Sequence, residues 1–403
     1  YTKIANSNQA VTGNSYMVGT GSQNDSYKGS VNKIILLNSY FDDGEYGLVT
    51  SIGKHAFYNN YQIKEIVIPE NVESIGESAF EGCDKLEQIS IPNSTKKINW
   101  YAFRECSSLL KVAFGEASEL NEIGSYAFMD CWKLSTFEMP NKVVKIGEFA
   151  FNGCRTITSI TLPSTLASLG NYSFSYCYAL AEIYNYSNLS VSIGFNDNTG
   201  IGNYARIIYT TPSQSRIIAQ NDIAYYKDSD DKYIVLTALD KNIERAELLD
   251  STKEITRGTF NNCTALTSIA IPDSVISIGS EAFLGCYGLQ NTVGDLKYIK
   301  TTTNSCYYLQ GATNKALTSV SIDENCKFMG SYVFSGCGSL TSVTIPNSIT
   351  NIGLESFKDC NNLTNVIYTK EVKGKYKFEN GKLTIYDGAM TNSPQWYADY
   401  INP

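Results

Sequence analysis

The stretch FSGCGSLTSVTIPNSITNIGLESFKDC, residues 334–360, ends with the pattern on which it begins, an aromatic residue followed three residues later by a cysteine. The same aromatic position recurs along the chain, and most neighbouring copies are 23 residues apart. Its members are Phe57, Phe80, Phe103, Phe128, Phe151, Phe174, Phe260, Phe283, Phe334 and Phe357. An aliphatic position six residues further on keeps the same spacing, so two independent frames indicate one repeat.

The repeat reads C-x-x-L-x-x-I-x-I-P-x-x-V-x-x-I-G-x-x-A-F. Its first half predicts a short strand, as in LTSVTI at residues 340–345, with the first, fourth and sixth side chains facing inward. The proline ends the strand because it has no ladder donor. The glycine, as at Gly76 and Gly147, is predicted to need a positive φ at a second turn. An irregular or 3₁₀ return segment follows.

A unit this small buries its apolar face only by stacking on copies of itself. In IGESAFEGCDKLEQISIPNSTKKI (75–98) and IGEFAFNGCRTITSITLPSTLASLG (146–170), the repeat resembles the bacterial BspA-like, or treponemal-type, leucine-rich repeat. That resemblance implies an α/β, β-rich leucine-rich-repeat solenoid. It is expected to be right-handed, with repeats of about 23 residues and a parallel β-sheet on its concave face.

The breaks in the period predict five regions. They are an N-terminal β cap (1–50), a first repeat block (51–184), degenerate repeats with a β-hairpin insertion (185–242), a second block (243–368) and a C-terminal cap (369–403). The insertion's hairpin is expected at residues 222–239, around a polar turn at 228–231, and the C-terminal hairpin around Asn380-Gly381. A lesser break at 301–317 is predicted to add only five residues to one turn.

The composition disfavours several function classes. The net charge of −8 argues against binding to nucleic acid or to an anionic membrane surface. No apolar run of 18 or more residues is present, so no membrane insertion is expected of this segment. His55 is the one histidine, which leaves little for Ser–His or Cys–His catalysis or for zinc. No cofactor and no metal are expected, and His55 itself is predicted to lie on the surface.

Nine cysteines occupy the position three residues after the phenylalanine, and we call them the slot cysteines. They are Cys83, Cys106, Cys131, Cys154, Cys177, Cys263, Cys286, Cys337 and Cys360. Equivalent side chains on successive turns point the same way, which favours buried, reduced thiols over disulfides, although export would permit disulfides. Cys306 and Cys326 lie outside the slot. The acidic clusters at 41–47 and 228–233 are interpreted as solvated turns, because neither has the EF-hand spacing.

The outward strand positions are the candidate ligand-binding residues, because solenoids bind through extended sheet surfaces. Threonine also favours strands for its own sake, so the same rows are equally consistent with solvated ladders. The candidates are Thr158, Ser159, Thr161, Thr267, Ser268, Thr318, Ser319, Ser321, Thr341, Ser342, Thr344, Thr364 and Asn365. A second set is aromatic and could serve contact with a partner or packing of the insertion and tail: Tyr225, Tyr226, Tyr233, Trp396, Tyr397 and Tyr400.

The sequence therefore predicts a non-enzymatic binding protein that engages an extracellular or host protein or a glycan. Its extracellular or cell-surface location, and an adhesin-like role, are what the family resemblance implies. Two other functions stay open. The array could be a structural spacer that presents another domain, or, more remotely, a carbohydrate-active enzyme with paired carboxylates.

Overall fold

A computed structural model describes residues 2–3, 14–18, 27, 33–37, 39–42, 45–195, 198–301, 307–353, 355–368, 376–379 and 382–385. The chain forms two compact units, unit 1 (Tyr1–Ser215) and unit 2 (Arg216–Pro403). Their border falls inside the region 185–242 that the sequence predicts to be degenerate repeats. The predicted five-region division otherwise remains a prediction.

The strands of unit 1 are short and follow one another in the same order in each turn. They are β1 (Thr2–Lys3), β2 (Asn14–Val18), β3 (Lys33–Ile35), β4 (Ser39–Asp42), β5 (Glu45–Ile52), β6 (Glu65–Val67), β7 (Ser74–Ile75), β8 (Gln88–Ile91), β9 (Lys97–Ile98), β10 (Lys111–Phe114), β11 (Glu122–Ile123), β12 (Thr136–Phe137), β13 (Lys145–Ile146), β14 (Ser159–Leu162), β15 (Ser168–Leu169), β16 (Glu182–Asn185) and β17 (Ile207–Tyr209).

Unit 2 continues the same alternation and contains a 3₁₀ helix at Tyr287–Leu289. Its strands are β18 (Ile217–Gln220), β19 (Ile223–Lys227), β20 (Tyr233–Ala238), β21 (Arg245–Glu247), β22 (Thr252–Ile255), β23 (Ser268–Ala270), β24 (Ser277–Ile278), β25 (Gln290–Val293), β26 (Leu296–Ile299), β27 (Tyr308–Ala312), β28 (Ser319–Ser321), β29 (Phe328–Met329), β30 (Ser342–Ile345), β31 (Asn351–Ile352), β32 (Asn365–Tyr368), β33 (Tyr376–Glu379) and β34 (Lys382–Ile385).

Each regular turn contributes one strand to each of two parallel ladders, which confirms the predicted solenoid. The first ladder uses the L-x-x-I-x-I strands, which we call face strands, in the orders β3-β6-β8-β10-β12, β14-β16-β17, β21-β23 and β28-β30-β32. The second uses two-residue strands just before the repeat glycine, which we call return strands. In unit 1 they run β5-β7-β9-β11-β13-β15. The sequence analysis assigned no structure to the residues between the repeat proline and the repeat glycine, so this second ladder was not predicted.

The core is a set of columns, one for each inward position of the repeat. In LTSVTI, Leu340, Val343 and Ile345 are buried while the residues between them are not, as the alternation predicted. The repeat phenylalanines of unit 1 stack from Phe57 to Phe174 with ring centroids 5.0–5.3 Å apart. Offset-stacked aromatic pairs of this kind contribute roughly 0.5–1.5 kcal/mol beyond their buried area.

The slot cysteines lie next to this phenylalanine column. The ten described cysteines, which exclude Cys306, are free and buried, as the sequence predicted. In unit 1 the thiol of each slot cysteine donates to the backbone oxygen of the phenylalanine one turn earlier, as in Cys154 to Phe128 at 3.2 Å. In the first turn the slot position holds Asn60, whose side-chain amide donates a hydrogen bond to the Tyr27 carbonyl at 2.7 Å.

The predicted positive φ at the repeat glycines is wrong. The left-handed position lies two residues later and holds ordinary side chains, for example Tyr101 with φ 58° and Tyr126 with φ 61°. The glycine is required for another reason, because successive turns approach closest there. A Cβ added to Gly147 would lie 2.4 Å from the Ser125 nitrogen, far inside van der Waals contact.

Two antiparallel meanders interrupt the array in unit 2. The first, β18-β19-β20, contains the predicted hairpin and continues into the parallel return strand β22. The second, β25-β26-β27, has the same plan and continues into β29. The sequence treats this second place as a minor length change, although Gly294, with φ 59°, marks a hairpin turn there. The predicted C-terminal hairpin is present as β33 and β34.

Candidate functional site

The candidate residues all lie on the outward side of face strands or next to them, and each is exposed or half-buried. The structure gathers eight of them on one sheet of unit 2, β28-β30-β32, and we call these eight residues the hydroxyl face. They are Thr318, Ser319, Ser321, Thr341, Ser342, Thr344, Thr364 and Asn365.

The strand register places the hydroxyl face in rows across the three turns. Ser319, Ser342 and Asn365 are directly aligned. Thr344 is aligned with Ser321 on one side and with Ile367, which is 44% exposed, on the other. None of the eight side chains carries a charge. The hydroxyl face therefore presents hydroxyls and one amide, and the apolar side chain of Ile367 lies beside them.

Two of the four threonines of the hydroxyl face donate their hydroxyl protons to backbone carbonyls of the preceding turn. Thr341 Oγ1 donates to the Thr318 carbonyl at 2.8 Å, and Thr364 Oγ1 donates to the Thr341 carbonyl at 3.5 Å. A hydroxyl that donates in this way keeps its acceptor lone pairs. The edge of the face therefore presents acceptors outward, which suits donors such as arginine, lysine or amide groups on a partner.

The other five candidates lie elsewhere. Thr267 and Ser268 belong to the separate two-stranded sheet β21-β23, where Ser268 aligns with Arg245. Thr158, Ser159 and Thr161 lie in unit 1 at β14.

In unit 1 the outward side of β16 is covered. Ser159 aligns with Glu182, whose side chain is fully buried. The Glu182 carboxylate accepts hydrogen bonds from the hydroxyls of Ser215 at 2.7 Å and Tyr184 at 2.9 Å. Burial and then the bond to Glu182 raise the pKa of Tyr184 to about 12. The segment 210–215 thus closes the end of the unit 1 face beside Ser159, which the sequence did not predict.

The outer surface of unit 1 is rich in ion pairs that connect successive turns. On the face strands Lys33 pairs with Glu65 at 2.7 Å. On the return strands Glu122 lies between Lys97 at 2.9 Å and Lys145 at 3.1 Å. Burial alone would raise the pKa of Glu122, but the hydrogen bonds from both lysines outweigh it and leave the pKa below its usual value. Unit 1 therefore has a charged surface, in contrast to the hydroxyl face.

His55 does not lie on the surface as predicted. It is 8% exposed, with its ring edge-on to Tyr58 at 5.4 Å between centroids. It occupies the left-handed position of the first turn, with φ 57°. Within the part of the chain that the structure describes, no group of three or more His, Cys, Asp or Glu residues could hold a metal ion.

The acidic cluster at 228–233 forms a structured turn. Asp228 accepts hydrogen bonds from the backbone nitrogens of Asp230 at 2.8 Å and Lys232 at 2.9 Å, and it pairs with Lys253. Burial raises the pKa of Asp228, but these bonds outweigh burial and lower it overall. The carboxylate is therefore engaged in closing the hairpin β19–β20.

The structure describes three of the six aromatic candidates, and two of these three are buried. Tyr225 and Tyr226 are buried, and Tyr233 meets Tyr225 edge-on at 5.9 Å. These side chains pack the first meander against the core, so of the two alternatives that the sequence left open, Tyr225 and Tyr226 follow packing. Trp396, Tyr397 and Tyr400 lie outside the described residues.

A cluster that the sequence analysis missed follows the slot cysteines of unit 1. Trp132, Arg155 and Tyr178 occupy the same repeat position on consecutive turns. The Arg155 guanidinium carbon lies 5.5 Å from the Trp132 ring centroid and 5.9 Å from that of Tyr178. The spacing of 23 residues between the three was the available signal.

Comparison with known proteins finds a family match over most of the chain. The family model described as "BspA type Leucine rich repeat region (6 copies)" matches residues 50–181, 116–201, 239–363 and 312–389. No curated protein matches this chain. Among the described residues, no helix is long and apolar enough to span a membrane.

Solved structures show a similar fold. A leucine-rich cell surface protein from Faecalibacterium prausnitzii A2-165 is 24% identical, with 92% of this chain and 93% of that chain covered and a TM-score of 0.36. The pneumococcal vaccine antigen PcpA is 17% identical over 93% of this chain and 89% of its own, with a TM-score of 0.35. The T. pallidum leucine-rich repeat protein is 19% identical over 65% and 80%, with a TM-score of 0.28.

Proposed function

Because this chain belongs to the BspA-type leucine-rich repeat family, we propose that it is a non-enzymatic binding protein of the cell surface or of the secreted fraction. Its partner is an extracellular or host protein, and the contact surface is the hydroxyl face of unit 2. An adhesin-like role follows if that partner belongs to a host matrix.

The observation that carries this proposal is the composition of the hydroxyl face. Eight aligned polar, uncharged side chains lie on one three-stranded sheet with no described segment over them, whereas the corresponding end of the unit 1 face is closed by the segment 210–215. Extended sheet surfaces of repeat proteins are common binding surfaces. Uncharged hydroxyls also cost less to desolvate than charged groups, which favours a buried contact.

The test inserts charge into the centre of the face. In the double variant Ser342→Lys/Thr344→Lys, two ammonium groups would have to be desolvated on binding, so we expect at least about tenfold weaker binding. The control is Thr350→Lys, an exposed threonine beside return strand β31 whose hydroxyl also donates to the preceding turn, to Lys327 at 3.1 Å. Binding is measured against immobilised extracellular-matrix proteins and on a glycan array.

Retention of binding by the double variant contradicts the assignment of the face, provided that the wild type binds. Absence of any binding by the wild type at high micromolar concentration, on proteins and glycans alike, contradicts the proposed function as a whole. Capture by glycans alone would replace the protein partner with a carbohydrate.

A further inference from the structure

Arg155 is held between two aromatic rings and has no acidic partner in its described surroundings. The structure describes no ion pair or hydrogen bond to its guanidinium, and its Nε is buried without an acceptor. Arg104 and Arg257 also have a buried Nε without an acceptor, but their terminal nitrogens form ion pairs. Arg104 lies over Tyr101 but reaches Glu81 and Glu105, and Arg257 pairs with Glu281 at 2.8 Å.

Rings on both faces of a guanidinium determine what the group can still bind. They remove water from the faces and leave the planar edge, with its fork of N–H donors, as the place for a ligand. Bonds to that edge gain strength from the lower local dielectric. A carboxylate fits the fork with two parallel N–H···O bonds.

We propose that Arg155, flanked by Trp132 and Tyr178, binds a single carboxylate from an Asp or Glu side chain of a protein partner. This site lies on unit 1, in the turn that precedes face strand β14, and does not depend on the hydroxyl face of unit 2. The contact would be an anchor, with one bidentate ion pair surrounded by aromatic surface.

The charges around Arg155 favour a single carboxylate over a phosphate or a polyanion. Asp130 accepts a hydrogen bond from Trp132 Nε1 at 3.1 Å, so a carboxylate already lies against one of the two flanking rings. A second negative charge on the ligand would be repelled by this carboxylate and by the protein's net charge of −8. The residue types favour a protein, because tryptophan, tyrosine and arginine are the types enriched at protein interface hot spots. Trp132 is 43% exposed and offers the apolar surface that such an anchor needs.

The test uses the full chain and a defined probe. The chain has 3 tryptophans, so the background variant Trp100→Phe/Trp396→Phe leaves Trp132 as the sole indole reporter. The probe is a terminally blocked dodecapeptide with a single Glu among Gly and Ser residues, and its matched control has Gln in place of Glu. We expect the Glu peptide to bind, protecting Trp132 from acrylamide quenching, and the Gln peptide to bind at least about tenfold more weakly.

Variants of Arg155 distinguish binding through the planar guanidinium edge from attraction to a positive charge alone. Arg155→Lys keeps the charge but loses the bidentate edge and the stacking, and should weaken binding about fivefold to tenfold. Arg155→Gln should abolish it. Arg245→Gln removes an exposed arginine of β21 and should leave binding unchanged. Thermal melts of each variant establish that the fold is intact.

Three results would overturn the proposal: no binding of the Glu peptide, equal binding of the Gln peptide, or unchanged binding by Arg155→Gln. Methyl galacturonoside, a sugar with one carboxylate, provides the carbohydrate arm, and binding of this sugar without the peptide would also overturn the assignment to a protein partner. The variant Ser342→Lys/Thr344→Lys should bind the Glu peptide normally, so failure of the hydroxyl face and failure of this site are distinguishable.

Discussion

Cysteine satisfies two requirements at its slot in this repeat. The side chain is small and apolar enough to pack beside the phenylalanine column, and its thiol donates a hydrogen bond to the previous turn. The Phe128 carbonyl, for example, accepts from the backbone nitrogen of Cys131 at 3.2 Å and from Cys154 Sγ at 3.2 Å, so both of its lone pairs are used.

This double role gives a prediction for Cys154. Cys154→Ala removes both the sulfur volume and the donor and should lower the free energy of unfolding by about 1–2 kcal/mol. In Cys154→Ser the hydroxyl takes over the bond to Phe128, so the loss should be no greater than for alanine. Urea denaturation followed by circular dichroism measures both values. A serine variant clearly less stable than the alanine variant would show that only apolar packing matters at the slot.

The slot cysteines also show how much of a single residue's environment can be predicted from the sequence. Burial of the cysteines followed from the periodicity, because equivalent positions share one environment. The hydrogen bond to the phenylalanine one turn earlier could not be predicted, since it depends on the distance between stacked turns. The burial of His55 was missed for a similar reason, because the position that it occupies is defined only when the turns are stacked.

At the scale of elements, the repeat glycine fixes the separation of neighbouring turns. At Gly279 an added Cβ would lie 2.4 Å from the Arg257 nitrogen and 2.8 Å from its Cα, both of which are backbone atoms. A flexible side chain could move away from such a contact, but two hydrogen-bonded backbones cannot separate without loosening the ladder between β22 and β24.

We therefore predict that Gly279→Ala costs about 2–3 kcal/mol of stability through overpacking. The matched control is Gly311→Ala in β27 of the same unit, where an added Cβ has nothing within 4 Å. Its effect should stay within about 0.5 kcal/mol. Chemical denaturation of unit 2 by urea, monitored by circular dichroism, provides the comparison. Equal losses for the two variants would contradict the close-approach explanation and favour a conformational role for glycine.

The strands and hairpins were predictable where a short local sequence pattern determines them. The face strands and two hairpins followed from alternation, proline and turn residues. The return strands were missed because two residues are too few to show a period. The second meander was missed because only residues 301–317 were recognised as a break, and the Gly294-Asp295 pair before them, which is a hairpin signal, was not considered.

At the scale of the whole molecule, the repeat predicts which residues face outward better than it predicts which of them lie together. The sequence identified which residues point outward, but it could not show that eight of the thirteen candidates share one sheet. Nor could it show that Glu182 would be covered by Ser215, a contact between residues 33 positions apart. Such groupings depend on where strand pairing is interrupted, which a local repeat does not encode.

The described thiols are distributed over three apolar clusters, and this distribution predicts how the molecule unfolds. Cys83, Cys106, Cys131, Cys154 and Cys177 all belong to one continuous core in unit 1. In unit 2, one cluster contains Cys263 and Cys286 and another contains Cys326, Cys337 and Cys360. Burial also raises the pKa of eight of these thiols, to about 12 for Cys286, so such a thiol reacts slowly in the native state even when reagent reaches it.

Pulsed alkylation at increasing urea concentration, read out by peptide mass spectrometry, should therefore reveal cooperative groups. We expect the five thiols of unit 1 to become reactive at one common midpoint, because stacked turns that share a continuous core lose it together. The two groups of unit 2 should each share a midpoint of their own. Gly147→Ala, which overpacks turns in unit 1 only, should lower the midpoint of the unit 1 group. A gradual progression from Cys83 to Cys177 would instead show that the turns fray one at a time.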